Sequence, residues 1–299
     1  MGYWKAKSFY RGSKMPKIHN HYVPRYYLKG FTEAPSSEMM FVYEKGTDKL
    51  FRTQVKNIGN EKGLYTDEIE AILANDIESA ANSILKKLRD FQNISVDEKL
   101  IFSRYMFSMF LRVPKRLDWM IEKSPKVLDK TFSDFEKQLK RLAEKHPDKA
   151  ELVEQRIKEL HDIRKNKADE YVKEMWLQNI PSAIDRPPVK TLAEMEWRFF
   201  KNDDNQPFIT SDNPLFYFSE IGIGNEKSEV SFPLSKNLVL WAKWKMEAPP
   251  GFHIARNQFV KEINRRTVSN ASKFIFSPQT ANWISILLNK KNIRLNRIV

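Results

Sequence analysis

Residues 19–31 read His-Asn-His-Tyr-Val-Pro-Arg-Tyr-Tyr-Leu-Lys-Gly-Phe, which places two of the chain's five histidines beside an arginine and three tyrosines. Pro24 fixes the backbone and favours an extended conformation for the residues before it. A short helix is therefore expected to begin at Arg25 and to end at Gly30. The apolar side chains of this helix are expected to bury one of its faces against the core. His19 and His21 would then be polar groups packed against apolar side chains.

This segment has two interpretations. Histidines beside an arginine can form a binding or catalytic site, because imidazole titrates near neutral pH and guanidinium binds anions. Alternatively, the histidines are partly exposed and the tyrosines are ordinary core residues. The segment alone leaves both interpretations open.

Composition restricts the class of protein. The chain of 299 residues contains no cysteine, which excludes disulfides, thiolate nucleophiles and cysteine zinc sites. Its most apolar run, residues 100–113, is interrupted by Arg104 and Arg112 and is too short to cross a bilayer. The basic N-terminus is not followed by an apolar segment, so a secretory signal is not expected. We therefore expect a cytoplasmic protein that does not contact membranes.

The excess of positive charge lies at the two ends of the chain. Lysine and arginine number 51 and aspartate and glutamate 38, which gives a net charge of +13. Residues 1–17 carry five basic side chains and no acidic one, and residues 263–299 carry seven basic side chains and no acidic one. Basic ends favour a polyanionic partner, most simply nucleic acid, because phosphate contacts release counterions. The alternative is a generic basic surface. The predicted nucleic-acid contacts are Arg265, Arg266, Lys290, Lys291 and Arg294.

The order of elements indicates an α+β fold. We expect a helical core with a protruding antiparallel helical hairpin, and a small, mostly antiparallel sheet built from N- and C-terminal strands. The predicted parts are a basic N-terminal extension at 1–17, an N-terminal motif with a β-hairpin and buried helices at 18–124, a helical hairpin arm at 125–180, and strands and helices at 190–299 that complete the same core and end in a basic tail. An arm of this kind serves oligomerisation or docking of a partner protein.

Local signals predict individual elements. Gly46 lies between two apolar runs and predicts a β-hairpin over residues 39–53. Ser95 and Glu98 form a capping box for a buried helix. An Asn-Asp-Asp-Asn turn predicts a second hairpin between residues 196–200 and 206–210. Asp148 is placed to cap the second helix of the arm. Further predictions are helices at 66–88, 257–271 and 282–288 and strands at 229–234, 238–243 and 274–276.

The helix over residues 100–113 is apolar on nearly every side, so we expect it to run through the interior. Arg104, Ser108 and Arg112 recur every four residues and share one face. A buried guanidinium must meet a carboxylate or an anionic ligand, because an unpaired buried charge is very costly. The two alternatives are a structural salt bridge, with Glu33 or Glu44 as the partner, and a phosphate clamp that faces the histidines.

Residues 210–214, Thr-Ser-Asp-Asn-Pro, follow an apolar strand, which is a frequent location for active-site residues. An Asx-turn at Asp212 is the structural alternative. The sequence contains no glycine-rich phosphate loop with the lysine that a nucleotide site would need, and no nucleophilic serine elbow.

Four segments, taken in order, resemble a known family: His-Tyr-Val-Pro-Arg-Tyr-Tyr-Leu-Lys-Gly-Phe at 21–31, Arg-Val-Pro-Lys-Arg at 112–116, Pro-Phe-Ile-Thr-Ser-Asp-Asn-Pro at 207–214 and Phe-Pro-Leu-Ser at 232–235. They are similar to the signature segments of a mainly bacterial family filed as domain of unknown function 4238. The resemblance spans about residues 18–280 and supplies no reaction. It implies that His21, Pro24, Arg112, Arg116 and Asp212 meet in one site.

The first functional hypothesis is a ribonuclease-like enzyme, acting as a toxin or a defence effector. His21 would be the general acid or base, Asp212 would orient it, and Arg112 would stabilise charge on the phosphate. No cofactor is required, although one variant places a divalent metal ion between His21 and Asp212. The residues assigned to substrate binding are Arg25, Arg116, His19, Tyr27, Ser211 and Asn213.

The second hypothesis is a binding module without catalysis. His21, Arg112 and Asp212 would then form a structural network, and the basic ends or the arm would bind nucleic acid or a partner protein. A third class of function, transfer of a nucleotide-derived group to protein or nucleic acid, is compatible with the same residues.

Overall fold

The computed structural model describes residues 19–182, 186–203 and 206–298, so the predicted basic extension at residues 1–17 lies outside the described residues. Residues 114–180 form one unit of the described chain, and the remaining described residues form a second unit. The α+β class is confirmed. No helix in the described ranges combines the length and the apolar character that crossing a bilayer requires.

The helices of the described chain are α1 Arg25–Leu28, α2 Asp67–Ile72, α3 Ser79–Arg89, α4 Val96–Arg112, α5 Pro114–Lys145, α6 Ala150–Asn166, α7 Ala168–Ser182, α8 Pro187–Glu194, α9 Asn257–Asn270 and α10 Asn282–Leu288. Its strands are β1 His19–His21, β2 Met39–Glu44, β3 Leu50–Gln54, β4 Asn60–Lys62, β5 Glu196–Lys201, β6 Thr210–Ser211, β7 Phe216–Tyr217, β8 Glu229–Ser235, β9 Leu238–Lys243, β10 Gly251–Ile254 and β11 Phe274–Ser277.

The described strands form three sheets. The largest has the order β10-β5-β9-β8-β7, the second has the order β3-β2-β11-β6, and β1 pairs with β4 alone. The pairs are antiparallel except for β5 with β10. The second sheet matches the predicted sheet of N- and C-terminal strands, and the predicted hairpin at Gly46 is confirmed by the pairing of β2 with β3. The five-stranded sheet comes wholly from the C-terminal part of the chain.

The prediction of a second hairpin, between residues 196–200 and 206–210, is wrong. Strand β5 pairs with β9 and β10, whereas Thr210 and Ser211 of β6 pair with β11 in the other sheet. Between them, Phe208 is fully buried and donates its backbone N–H to the carbonyl of Lys236, at 2.9 Å. The long apolar strand β9, which is itself paired with β8, offers β5 a larger buried surface than a local hairpin partner could, and this non-local pairing therefore prevails.

Residues 114–180 form the predicted antiparallel helical hairpin, but its first helix begins earlier than expected. Only Val113 separates the end of α4 from Pro114, which opens α5 and is consistent with the preference of proline for a helix start. The hairpin is joined by ion pairs between Arg164 and Asp129 and between His161 and Glu136, at 2.9 and 3.0 Å. The predicted cap by Asp148 is wrong, because the N-cap of α6 is Lys149 and no side chain caps it.

The predicted helix over residues 66–88 is present, and it contains an irregularity. Thr66 caps its start by accepting a hydrogen bond from the backbone N–H of Ile69. Between α2 and α3 the backbone forms a π-helical segment, Leu73–Glu78. Such segments insert a residue into the helix and occur often at functional sites. The capping box of Ser95 and Glu98 at the start of α4 is confirmed.

The motif at residues 19–31 is held to the core by Arg89 of α3. Its guanidinium donates hydrogen bonds to the carbonyl oxygens of Leu234, Tyr26 and Tyr27, at 2.9, 3.1 and 2.7 Å. Gly30 is packed against this guanidinium, and any side chain at residue 30 would collide with Arg89. Tyr27 adds a second attachment, because its hydroxyl donates to the carbonyl of Pro233 at 2.8 Å and lies 2.7 Å from the Thr210 hydroxyl.

We predict that Arg89→Ala lowers the free energy of unfolding by about 3 kcal/mol or more, since it leaves buried carbonyl groups without a donor. Thermal and denaturant unfolding would measure this change. Lys86→Ala on the exposed face of the same helix is the matched control and is expected to leave the unfolding midpoint almost unchanged. An Arg89→Ala protein as stable as the control would show that the guanidinium does not hold the motif.

Candidate functional site

The centre of the candidate site is the side chain of Arg112, the last residue of α4. Arg112 is completely buried, and its Nη1 lies 2.6 Å from Oε1 of Glu78. Its Nε and Nη2 have no hydrogen-bond partner among the described residues. Burial is the largest single effect and lowers the pKa of Arg112, but Glu78, Tyr65 and Tyr105 together raise it further, so the net shift of the pKa is upward. The guanidinium therefore stays charged, and two of its nitrogen atoms are enclosed without a partner among the described residues.

The partner that the sequence suggested for Arg112 is wrong. Glu33 pairs with Arg52, and Glu44 pairs with Lys49 and Lys273 in the four-stranded sheet. The ion-pair partner of Arg112 is instead Glu78, the last residue of the π-helical segment.

The π-helical segment also determines which carboxylates face Arg112. In a regular α-helix, each residue turns by about 100°, so residues eight apart point in different directions. With one residue inserted, residue 78 takes the place that residue 77 would have in a regular helix. Two residues seven apart in a regular helix are separated by nearly two full turns, so their side chains point in similar directions. Glu70 and Glu78 thus come to share one side of the helix, and the charge of Arg112 and of Glu78 both act on the pKa of Glu70. Sequence reasoning missed both glutamates, because a π-helical segment has no reliable sequence signal.

His21, the last residue of β1, lies at the edge of this cluster. Its ring is half-buried, its Nε2 has no partner among the described residues, and a hydrogen bond joins the ring to the backbone of Lys56. Burial lowers the pKa of His21, the Lys56 bond raises it, Arg25 and Arg112 lower it further, and Glu78 raises it. The net effect is a pKa below the usual value, so the imidazole is neutral at pH 7.

The environment of Glu70 shifts its pKa upward, opposite to the shift of the His21 pKa. Burial raises the pKa of Glu70, Arg112 and a hydrogen bond from Asn20 lower it, and the charges of Glu78 and Asp67 raise it, with a net upward shift. The Asn20 amide donates to Glu70 Oε2 at 3.3 Å, and Asn20 precedes His21 in β1. The pKa of His21 is thus shifted downward and the pKa of Glu70 upward, and perturbed pKa values occur often at functional sites.

Two buried tyrosines complete the surroundings of Arg112. The hydroxyl of Tyr65 donates to the backbone carbonyl of Arg112 at 3.0 Å. The hydroxyl of Tyr105 is buried without a hydrogen-bond partner in the described chain. Burial raises the pKa of both phenols, so both remain protonated and can act only as neutral donors or acceptors.

Asp212 has a different set of partners from those that the sequence suggested. Its Oδ1 accepts a hydrogen bond from the N–H of Ser272 at 2.8 Å, and its Oδ2 accepts from Lys273 and Phe274 at 2.7 and 3.0 Å. These bonds fix the start of β11. Besides burial, the groups that act on the pKa of His21 are the Lys56 backbone, Arg25, Glu78 and Arg112.

The neighbours of Asp212 are also used within the fold. The Ser211 hydroxyl accepts the backbone N–H of Asn213 at 3.1 Å, and the Asn213 amide donates to the carbonyl of Asn270 at 3.1 Å. Both side chains are buried, as is Tyr27. The structure therefore assigns these three predicted substrate contacts to internal bonding.

The other predicted substrate contacts are more exposed or belong to the other unit. His19 is exposed and its Nδ1 lies 2.8 Å from Oδ1 of Asn60. Arg25 is exposed at the start of α1. Arg116 belongs to the helical unit, where its guanidinium stacks 4.1 Å from the ring centre of Trp119.

The predicted nucleic-acid contacts divide into a buried residue and exposed ones. Arg266 is fully buried, pairs with Glu229 at 2.7 Å and donates to the carbonyl of Asn296 at 2.7 Å, so its assignment to a binding surface is wrong. Arg265 is partly exposed and lies 3.3 Å from Glu262. Lys290, Lys291 and Arg294 are exposed, and the two lysines line a shallow depression of about 330 Å³ beside the turn at Gly46.

In the described ranges, no three His, Asp or Glu side chains gather closely enough to hold a metal ion. The suggested variant with a metal between His21 and Asp212 thus has no third protein ligand in this part of the chain.

The four signature segments are linked to one another in the folded chain. Tyr27 of the first segment contacts Thr210 of the third and Pro233 of the fourth, while Arg112 of the second lies with His21 in one charged cluster. The model of the family described as Protein of unknown function (DUF4238) matches residues 19–280. The chain belongs to this family. No curated protein and no solved structure matches the chain.

We predict that Asp212→Asn lowers the free energy of unfolding by about 2–3 kcal/mol, because an amide cannot accept all three backbone hydrogen bonds and loses the charge that strengthens them. Thermal unfolding of the variant would measure this. Asp48→Asn, at an exposed turn, is the control and is expected to unfold like the unmodified protein. If Asp212→Asn kept full stability, the carboxylate would be available for another role.

Proposed function

We propose that the protein is an enzyme that cleaves phosphodiester bonds in RNA without a metal ion, and that it acts in the cytoplasm as a toxin-like or phage-defence effector. The observation that carries this proposal is the set of buried polar atoms without partners around Arg112. Native structures pair nearly all such atoms, and a catalytic role is one of the explanations for an exception. Among the described residues, two nitrogen atoms of the Arg112 guanidinium and the Nε2 of His21, whose pKa Arg112 influences, have no partner. A guanidinium can bind a phosphate group and a neutral imidazole can accept a proton.

In the proposed reaction, His21 accepts a proton and Arg112 stabilises charge on the phosphate. The pKa of His21 is below its usual value mainly because of burial, and a neutral imidazole at pH 7 suits a general base. Glu78 holds Arg112 in place through the 2.6 Å ion pair and is a positioning residue. Stabilising charge inside a buried site is effective, because the low polarity of the surroundings strengthens the interaction.

Exposed basic residues support the choice of nucleic acid as the substrate. Lys290 and Lys291 flank the depression beside Gly46, and Arg294 follows them on the surface. None of the three has an ion-pair partner among the described residues. Such side chains can neutralise phosphates along a strand.

A binding module without catalysis is the second candidate function. The observation that favours it is the complete burial of Arg112 together with the shielding of His21 Nε2 from solvent. In that case the ion pair with Glu78 fastens α4 to the π-helical segment, and the basic surface alone would contact nucleic acid or a partner protein.

We predict that the purified protein degrades total RNA in the presence of a chelator, and that His21→Ala slows this reaction by about 10²–10⁴-fold, as expected for loss of a general base. The pKa of His21 is below its usual value, so the rate should be maintained at pH 7 and fall at lower pH as the ring gains a proton. Gel analysis of RNA and of single-stranded DNA would follow the reaction.

His161→Ala, on the surface of the helical unit, is the control for this experiment and is expected to keep full activity. If the RNA stayed intact under every condition, with and without chelator, the proposed RNA-cleaving activity would be refuted. A His21→Ala protein that is strongly destabilised while its affinity for RNA is unchanged would favour the structural network.

We also predict that the double variant Lys290→Ala/Lys291→Ala binds single-stranded RNA more weakly and with a smaller dependence on salt. Removing one lysine–phosphate interaction should reduce the slope of log affinity against log salt by about 0.7. Fluorescence anisotropy at several salt concentrations would measure the slope. Lys227→Ala/Lys245→Ala removes the same charge from another exposed part of the chain, and an equal effect of both variants would contradict a specific surface at Lys290.

A further inference from the structure

In its described part, the segment that follows α10 forms no helix or strand, yet its backbone is held at two positions. The N–H of Asn296 donates to Oε1 of Glu262 at 2.8 Å, and the carbonyl of Asn296 accepts a hydrogen bond from Arg266 at 2.7 Å. Further along, the N–H of Ile298 lies 3.1 and 3.2 Å from the two carboxylate oxygens of Glu229 and donates to them. Internal side chains therefore bind this segment through its main chain.

The three side chains that hold the segment, which we call the docking site, are buried on β8 and α9. Glu262 is 5% exposed, Glu229 2% and Arg266 0%. Arg266 lies 2.7 Å from Glu229 and 3.6 Å from Glu262. Trp241 also donates to Glu229, and Arg265 pairs with Glu262. Each carboxylate thus has a cationic partner besides the segment, so release of the segment would leave neither charge unpaired.

Apolar contacts attach the segment at two further points. Ile298 packs against the buried cluster that contains Phe208 and Val260, and Ile293 packs against the cluster that contains Ile209. Both isoleucines on the segment are only partly buried, so each contributes less than a full core side chain would. Attachment by a few hydrogen bonds and two partly buried side chains is typical of a segment that can open without unfolding the core.

The exposed side chains of the same segment are mainly basic. Lys290, Lys291, Arg294 and Arg297 are all exposed, and the guanidinium of Arg297 lies 5.8 Å from the ring centre of Phe218. Docking fixes the backbone that carries these four charges before any partner binds. A preorganised binding surface loses less conformational entropy on association than a mobile one, and it therefore binds more tightly.

We propose that Glu229 and Glu262 are positioning residues for nucleic-acid binding. They hold residues 290–298 so that the four basic side chains of this segment form one surface for single-stranded RNA, an inference that rests on the proposed function. If the docked population falls to about a tenth, the apparent affinity for RNA falls about tenfold, because only the docked form presents the complete surface. The number of positive charges is unchanged by release, so the dependence of the affinity on salt stays the same.

The test is Asn296→Pro, which removes the N–H that Glu262 accepts and leaves every charge in place. Trypsin should cleave after Arg294 several-fold faster than in the unmodified protein, because a released segment fits a protease more readily, and mass spectrometry would follow this cleavage. Fluorescence anisotropy should show about tenfold weaker binding of single-stranded RNA. The slope of log affinity against log salt should not change. Asn292→Pro, at an exposed residue of the same segment, is the matched control and should behave like the unmodified protein.

Ile298→Ser is a second variant that removes an apolar attachment instead of a hydrogen bond, and it should produce the same two changes. Thermal unfolding should show that both variants remain folded, since the substituted residues lie outside the helices and strands. Unchanged cleavage after Arg294, or faster cleavage with unchanged RNA affinity, would overturn this inference while leaving RNA binding in place. An unmodified protein that binds no RNA would overturn this inference and the proposed function together.

Discussion

The bonding of Arg89 to three backbone carbonyls is the constraint on which the candidate site depends. A guanidinium removed from water must regain hydrogen-bond partners, and here Leu234, Tyr26 and Tyr27 provide them. Because the three carbonyls come from a strand and from a distant helix, satisfying one side chain joins α1 to β8. Gly30 makes the approach sterically feasible, and Tyr27 is then directed toward Thr210 and Pro233.

The elements that could be predicted from sequence are those whose signals are local. A glycine turn between two apolar runs and a Ser95-Glu98 capping box each act over a few residues, and the structure contains both. The partner of β5 could not be predicted in this way. Residues 206–210 are close in sequence, but the six-residue strand β9 offers a longer buried apolar surface, and only the folded chain brings it to β5. Strand pairing depends on such competition more than on turn signals.

The candidate site was predictable to a similar extent. A buried arginine in α4 and a histidine beside Pro24 are visible as unusual residues in their segments, and the structure brings Arg112 and His21 into one charged cluster. The carboxylates of that cluster were not visible, because Glu70 and Glu78 are aligned only by the π-helical segment between α2 and α3. Asp212 looked like a catalytic carboxylate, but the acceptor positions it occupies are defined by the backbone of residues 272–274, which sequence cannot place.

Stability alone gives a weak reason for Arg112. A buried ion pair recovers little more than the cost of removing its charges from water, and apolar residues of similar size often replace such pairs without loss of stability. The pair of Arg266 with Glu229 has a structural explanation, because Asn296 and Ile298 of the C-terminal segment bond to the same groups and are held by them. Arg112 has no such additional partner on Nε and Nη2 in the described chain. Both buried arginines keep two nitrogen atoms without a hydrogen-bond partner in the described chain. They differ in that the Arg266 guanidinium also donates to the carbonyl of Asn296 in the C-terminal segment, whereas the ion pair with Glu78 is the contact that holds the Arg112 guanidinium.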